Sequence, residues 1–161
     1  MIAMYRSPSQ LSESARQTLS DVLNARLADG LDLHSQIKVA HWNIKGPQFA
    51  ALHPLFETFA ASLANFNDAI AERAVTLGGR AFGTVRHVAK VSHISEYPQE
   101  TTRDLEHVKL LAERFESYLA ELRASRSAAE SQADTDTVDL FTTVITEFEK
   151  NAWFLRASLE S

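Results

Sequence analysis

The sequence predicts an all-α protein, a four-helix bundle whose second and third helices are joined by a long crossover. Three observations carry this expectation. Apolar residues recur three and four positions apart through four long stretches of about 25 residues each, the period of a helix with one buried face. Gly46-Pro47 and Gly78-Gly79 punctuate the ends of the first two stretches. Residues 80–98 lose the periodicity, so the middle connection is long while the first and last are short.

The first helix is read from Leu11, Ala15, Leu19, Val22, Leu23, Leu27, Ile37, Ala40 and Ile44, with cap candidates in "SPSQ" before it and Gly30 interrupting the pattern. The second runs through Phe49, Leu52, Phe56, Phe59, Leu63, Phe66, Ile70 and Leu77. Pro54 is expected in its first turn or so, where a missing N–H is harmless. The stretch 80–98 fits a short helix or an extended piece, and the residues alone leave both open. The third helix is announced by Thr101 or Thr102 with Asp104 behind, and continues through Leu105, Val108, Leu111, Ala112, Phe115, Leu119 and Leu122. "RASRSAAESQADTDT" is expected to break it. The last helix carries Val138, Phe141, Ile145, Phe148, Ala152, Leu155 and Leu159, and Asp134, Asp136 and Asp139 place negative charge at its start.

The chain of 161 residues is expected to form a single domain over 1–161, with 1–8 as a flexible N-terminal tail. With 45% hydrophobic and 23% charged residues it has the composition of a folded protein. It has no cysteine, which excludes disulfides, thiolate zinc sites and cysteine nucleophiles. No apolar leader and no run of roughly 18 apolar residues is found, so a cytoplasmic location without a membrane partner is expected. The net charge of −5 argues against direct DNA binding, which needs a basic patch or tail.

Chemistry concentrates between His41 and Arg73. His41 and His53 flank the Gly46-Pro47 turn, so a helical hairpin brings them to one level, with Glu57 one turn beyond His53. Asp68 and Glu72, at i and i+4, share a face of the second helix. Fifteen residues separate His53 from Asp68, about 22 Å along a helix, so histidines and carboxylates of one chain cannot hold the same ion. Two chains packed antiparallel about a two-fold axis can, and then form two equivalent sites. Such a mixture of imidazole and carboxylate suits Fe(II), Zn(II) or Mn(II). The Glu-x-x-His pair of ordinary di-iron bundles is missing; its nearest imitation, Asp104-x-x-His107, sits beside Glu106 and Lys109 and is expected on a surface ion-pair face. His34, two turns before His41, is expected as a core or cavity-lining residue, and His87 and His93 as surface or interface residues.

At these residues the sequence resembles the Dps family, the miniferritins that protect bacterial DNA during starvation and oxidative stress. The resemblance is carried by "HWNIKGPQF", "LH", "DAIAER" and "LGG", and extends through Tyr97-Pro98, "DTDTVDL" and Trp153-Phe154. It implies a ferritin-like four-helix bundle with a short helix in the crossover, and a homo-oligomer, a dodecameric shell built from two-fold dimers. It implies iron-storing ferroxidase activity in the bacterial cytoplasm or nucleoid: Fe(II) is oxidised to Fe(III), preferentially by H2O2, two irons per centre, with His41 and His53 from one chain and Asp68 and Glu72 from its partner. Where many relatives have Asp, this chain has Glu57, whose longer arm can reach the centre directly or through water. Trp42 is placed near the centre, where it could absorb stray oxidising equivalents or simply pack. Asp136 and Asp139 match positions lining the pores that admit iron. The alternatives are a nucleoid protein that compacts DNA, and a shell whose centre holds Zn(II) as a substitute or another ion.

Overall fold

The computed structural model describes residues 3–160 and contains five helices: α1 (Glu13–Asn43), α2 (Phe49–Thr76), α3 (Val85–Val91), α4 (Asp104–Ser131) and α5 (Thr135–Ala157). α1 packs along α2 and α4 along α5, the two hairpins meeting through α1–α4 and α2–α5 contacts. α3 is the short helix of the crossover and lies against α1. No helix among the described residues is long and apolar enough to cross a membrane.

The core is aromatic at its centre. Phe115 of α4 stands edge-on to Phe59 of α2 (5.4 Å between centroids) and to Phe148 of α5 (5.0 Å), and all three are buried. Gly30 explains itself by proximity: a Cβ there would lie 2.0 Å from Asn67 Oδ1, so α1 and α2 approach closely only because that side chain is missing. Buried Arg26 ties α1 to α4 by pairing with Asp29 (3.0 Å) and Glu121 (2.5 Å).

α2 starts at Phe49, where the apolar run begins, with main-chain bonds from Phe49 N–H to Gly46 O and from Leu52 N–H to Gln48 O, and Pro54 is its sixth residue, just past the first turn. Several boundaries differ from expectation. α4 continues through "RASRSAAES", whose Arg, Ala and Glu tolerate a helix well and whose Ser125 and Ala129 are buried. It breaks at Ala133, which has φ +54°. Asp104 and His107 are buried rather than on a surface ion-pair face; with Val108 and Leu111 they occupy the inward stripe of α4, whatever their charged neighbours. Residues 5–7, expected within a flexible tail, lie against the end of α2: Tyr5 N–H bonds Gly78 O (2.7 Å) and Ser7 Oγ bonds Thr76 O (2.6 Å).

Candidate metal centre

α1 ends at Asn43 and α2 begins at Phe49, so a five-residue turn places His41 and His53 side by side. Their rings stack with centroids 3.8 Å apart. His41 Nδ1 lies 2.8 Å from the His53 carbonyl, and His53 Nδ1 lies 2.9 Å from the His41 carbonyl. A carbonyl only accepts, so each Nδ1 carries the hydrogen and donates it across. In a neutral imidazole so held, Nε2 is the atom that carries the lone pair. Metal-ligating imidazoles are commonly oriented in this way, one nitrogen held by a carbonyl and the other open to the ion.

Glu57 stands at the mouth of this pair. Its Oε2 is 3.5 Å from His41 Nε2 and also takes the Lys38 ammonium, one turn back on α1. The Lys38 hydrogen bond holds the Glu57 carboxyl below the usual carboxylate range. Lys38 carries no metal-ligating chemistry, so its residue type does not single it out in the sequence; its position three residues before His41 is the one available signal. Its ammonium also lies 5.8 Å from the exposed Trp42 ring. His34, expected as a core or cavity-lining residue, is half-buried; burial and then the Lys38 cation push its pKa down, and Glu57 pulls it up.

Asp68 and Glu72 are exposed on α2, and their carboxylates make no hydrogen bond or ion pair among the described residues. Along the same exposed side lie Pro54, Ala61, Ala64 and Val75, small or apolar residues on which a second helix can rest. One chain thus presents two half-sites about four helical turns apart, nitrogen at one end and oxygen at the other.

The helices also gather a group that the sequence could not reveal. Asp29, His93 and Glu121 bring ligand-type atoms within 4.8 Å of one another. Arg26 already lies among them, ion-paired with both carboxylates and 3.4 Å from His93 Nδ1, so the charge a metal would supply is present as guanidinium. The His93 main-chain N–H donates to Asp29 Oδ1 (2.7 Å), which pins the crossover to α1.

At the start of α5, the three aspartates separate. Asp134 is buried and bound through both oxygens by Arg73 (2.7 and 2.9 Å), while Asp136 and Asp139 remain exposed.

Known proteins similar to this chain point in one direction. The family model for the Ferritin-like domain matches residues 20–161. The chain is 35% identical over 156 residues to the DNA protection during starvation protein of Agrobacterium fabrum, covering 97% of this chain and 96% of that one. It is 36% identical over 140 residues to DNA protection during starvation protein 2 of Bacillus anthracis, covering 86% and 94%. Among solved structures, DpsC from Streptomyces coelicolor superposes with a TM-score of 0.94 at 31% identity, covering 99% of this chain and 93% of that one. A Dps protein from Vibrio cholerae, described as a member of a broad superfamily of ferritin-like diiron-carboxylate proteins, superposes at 0.91 with 29% identity, covering 99% and 100%.

Proposed function

Since the chain belongs to the Dps family of ferritin-like proteins, we propose that it oxidises Fe(II) at centres shared between two chains and stores the ferric product inside a shell. The observation that carries this is the reciprocal pairing of His41 and His53, which turns both Nδ1 atoms inward and leaves both Nε2 atoms as the ligand positions. The donors fit Fe(II): imidazole nitrogen from one chain, Asp68 and Glu72 oxygen from its partner, and Glu57 within reach of His41. Antiparallel packing of α2 on a partner's α2 lays each histidine end over the other's carboxylate end.

Fe(II) is the substrate. Two Fe(II) give one electron each to one H2O2, which takes two protons and leaves as two waters, so no hydroxyl radical is released. The chain's own part is to hold the imidazoles in one tautomer, to supply anionic oxygen that favours the more highly charged product, and to keep the pair of ions together. Dodecameric assembly, a central store and preference for peroxide over O2 belong to this reading, as does protection of DNA by removing reactants rather than by binding it.

The test is anaerobic Fe(II) loading followed by stoichiometric H2O2, recording ferric absorbance. Wild type should oxidise fast at about one peroxide per two irons, and His53→Ala and Asp68→Ala should each be slow. Chains of the two variants refolded together 1:1 should recover about a quarter of the centres, because half the pairs are mixed and each mixed pair has one intact site. Slow oxidation in wild type, or no recovery on mixing, would sink the shared centre.

A further inference from the structure

α2 opens without a cap of its own. Gln48 makes no side-chain capping bond, and the first turn carries no acid. α4 also opens without one, at Arg103. A single carboxylate serves both helix starts: Asp104 Oδ2 accepts the Gln48 N–H (2.8 Å), and Oδ1 accepts the Leu105 N–H (2.9 Å). The main chain closes the same junction, with Lys45 N–H on Thr102 O (2.7 Å) and Asp104 N–H on Lys45 O (2.9 Å). Gly46, at φ +134°, permits the approach, since a Cβ there would meet the Asp104 carboxylate at 2.6 Å.

This junction bears directly on the imidazoles. Were α1 to continue, the Lys45 N–H would return to the His41 carbonyl. It goes to Thr102 instead, which leaves the His41 carbonyl free for His53 Nδ1. Gln48, held by Asp104, fixes the start of α2 and therefore the phase in which His53 comes over His41.

We propose that Asp104 is a positioning residue of the metal centre: it clamps the Gly46–Gln48 turn in the register that gives His41 and His53 their reciprocal hydrogen bonds, and so aims both Nε2 lone pairs. As a statement about metal binding it rests on the ferroxidase reading above, but the imidazole geometry it governs can be read without adding metal. The carboxyl is held below its ordinary range, first by the Gln48 N–H and also by the N–H groups of Leu105 and Asp104 itself, so the clamp is anionic at neutral pH.

The experiment compares wild type, Asp104→Asn, Asp104→Ala and, as a control for simple destabilisation, the core truncation Val144→Ala on α5. Two readouts are taken on the full-length assembled protein. Histidine C2–H exchange followed by mass spectrometry reports the pKa and exposure of each imidazole without metal, and Co(II) titration followed by visible absorption reports the centre. Exchange at His41 and His53 should change in Asp104→Ala, less in Asp104→Asn, which keeps one acceptor oxygen, and not in Val144→Ala, with His87 constant throughout. Co(II) affinity should fall about tenfold or more in Asp104→Ala. If Asp104→Ala does not assemble, Asp104→Asn against Val144→Ala decides the matter in the same way. Unchanged His41 and His53 exchange in the Asp104 variants, or an equal change in Val144→Ala, overturns the proposal. Changed exchange with no His41-dependent Co(II) band in wild type instead keeps the clamp and removes the ferroxidase reading.

Discussion

Lys38 and Glu57 are paired across α1 and α2 through the same carboxylate oxygen that lies 3.5 Å from His41 Nε2. An ammonium ion therefore competes for an oxygen that a metal on His41 would use. Replacing Lys38 by Met should strengthen Co(II) binding by about two- to fivefold, the scale of an exposed ion pair. Weaker binding in a Co(II) titration of Lys38→Met would mean that the lysine supports the site rather than competing with it.

The aromatic centre of the core sets a second expectation. Phe115 is fully buried against Phe59 and Phe148, so Phe115→Ala removes a large apolar surface and leaves a cavity that the helices cannot close. The cost should be about 3–5 kcal/mol, read from urea unfolding at one fixed protein concentration. A loss below about 1 kcal/mol would show that the core repacks freely.

Acid should weaken the fold in a defined window. His107 is buried, with its Nδ1 2.6 Å from the Tyr97 hydroxyl, and burial pushes its pKa down against smaller upward pulls from Glu106, the Thr101 carbonyl and Asp104. A base with a depressed folded pKa binds fewer protons folded than unfolded, so its contribution is complete above the unfolded value near 6.5 and is lost as pH falls below it. The urea midpoint should drop between about pH 7.5 and 5.5, and His107→Gln should flatten that drop. Equal slopes in the two proteins would assign the acid sensitivity elsewhere, His34 being the next candidate because its pKa is depressed too.

Of the three acids at the head of α5, only Asp136 and Asp139 are exposed, since Asp134 is held by Arg73. If these two attract Fe(II) on its way in, Asp136→Asn with Asp139→Asn should slow mineral formation at low iron while single-turnover oxidation at the centres is kept. Unchanged uptake in a stopped-flow comparison would leave them as helix-dipole partners alone.

Much of the helical architecture is legible in the sequence because periodicity is local. The stripe from Leu19 to Ile44 and that from Leu52 to Leu77 each bury one face, Phe49 alone of the second run being exposed at its start, and both stretches form the expected helices. Where local rules compete, the pattern misleads. Glu106 and Lys109 disguise the inward face of Asp104 and His107, although the spacing to Val108 and Leu111 carries the signal. α3 has one buried residue, Val88, too little for a pattern. The four candidate ligands are legible as residue types and spacing, and the hairpin places the two histidines together as expected. Lys38 on Glu57, and Asp104 across two helix starts, join residues 19 and 56 apart, a relation that no window of sequence contains.

The reciprocal imidazole bonds also bear on what an ion meets on arrival. The nitrogen side is ordered during folding, so its rotamer entropy has been surrendered before any ligand binds. The oxygen side is different: Asp68 and Glu72 are exposed and carry no hydrogen bond or ion pair among the described residues, while Glu57 is held only by Lys38 and His41 at the surface. If the two halves meet around iron as proposed, one wall would be rigid and the other yielding, and the harder, smaller Fe(III) would favour the oxygen side.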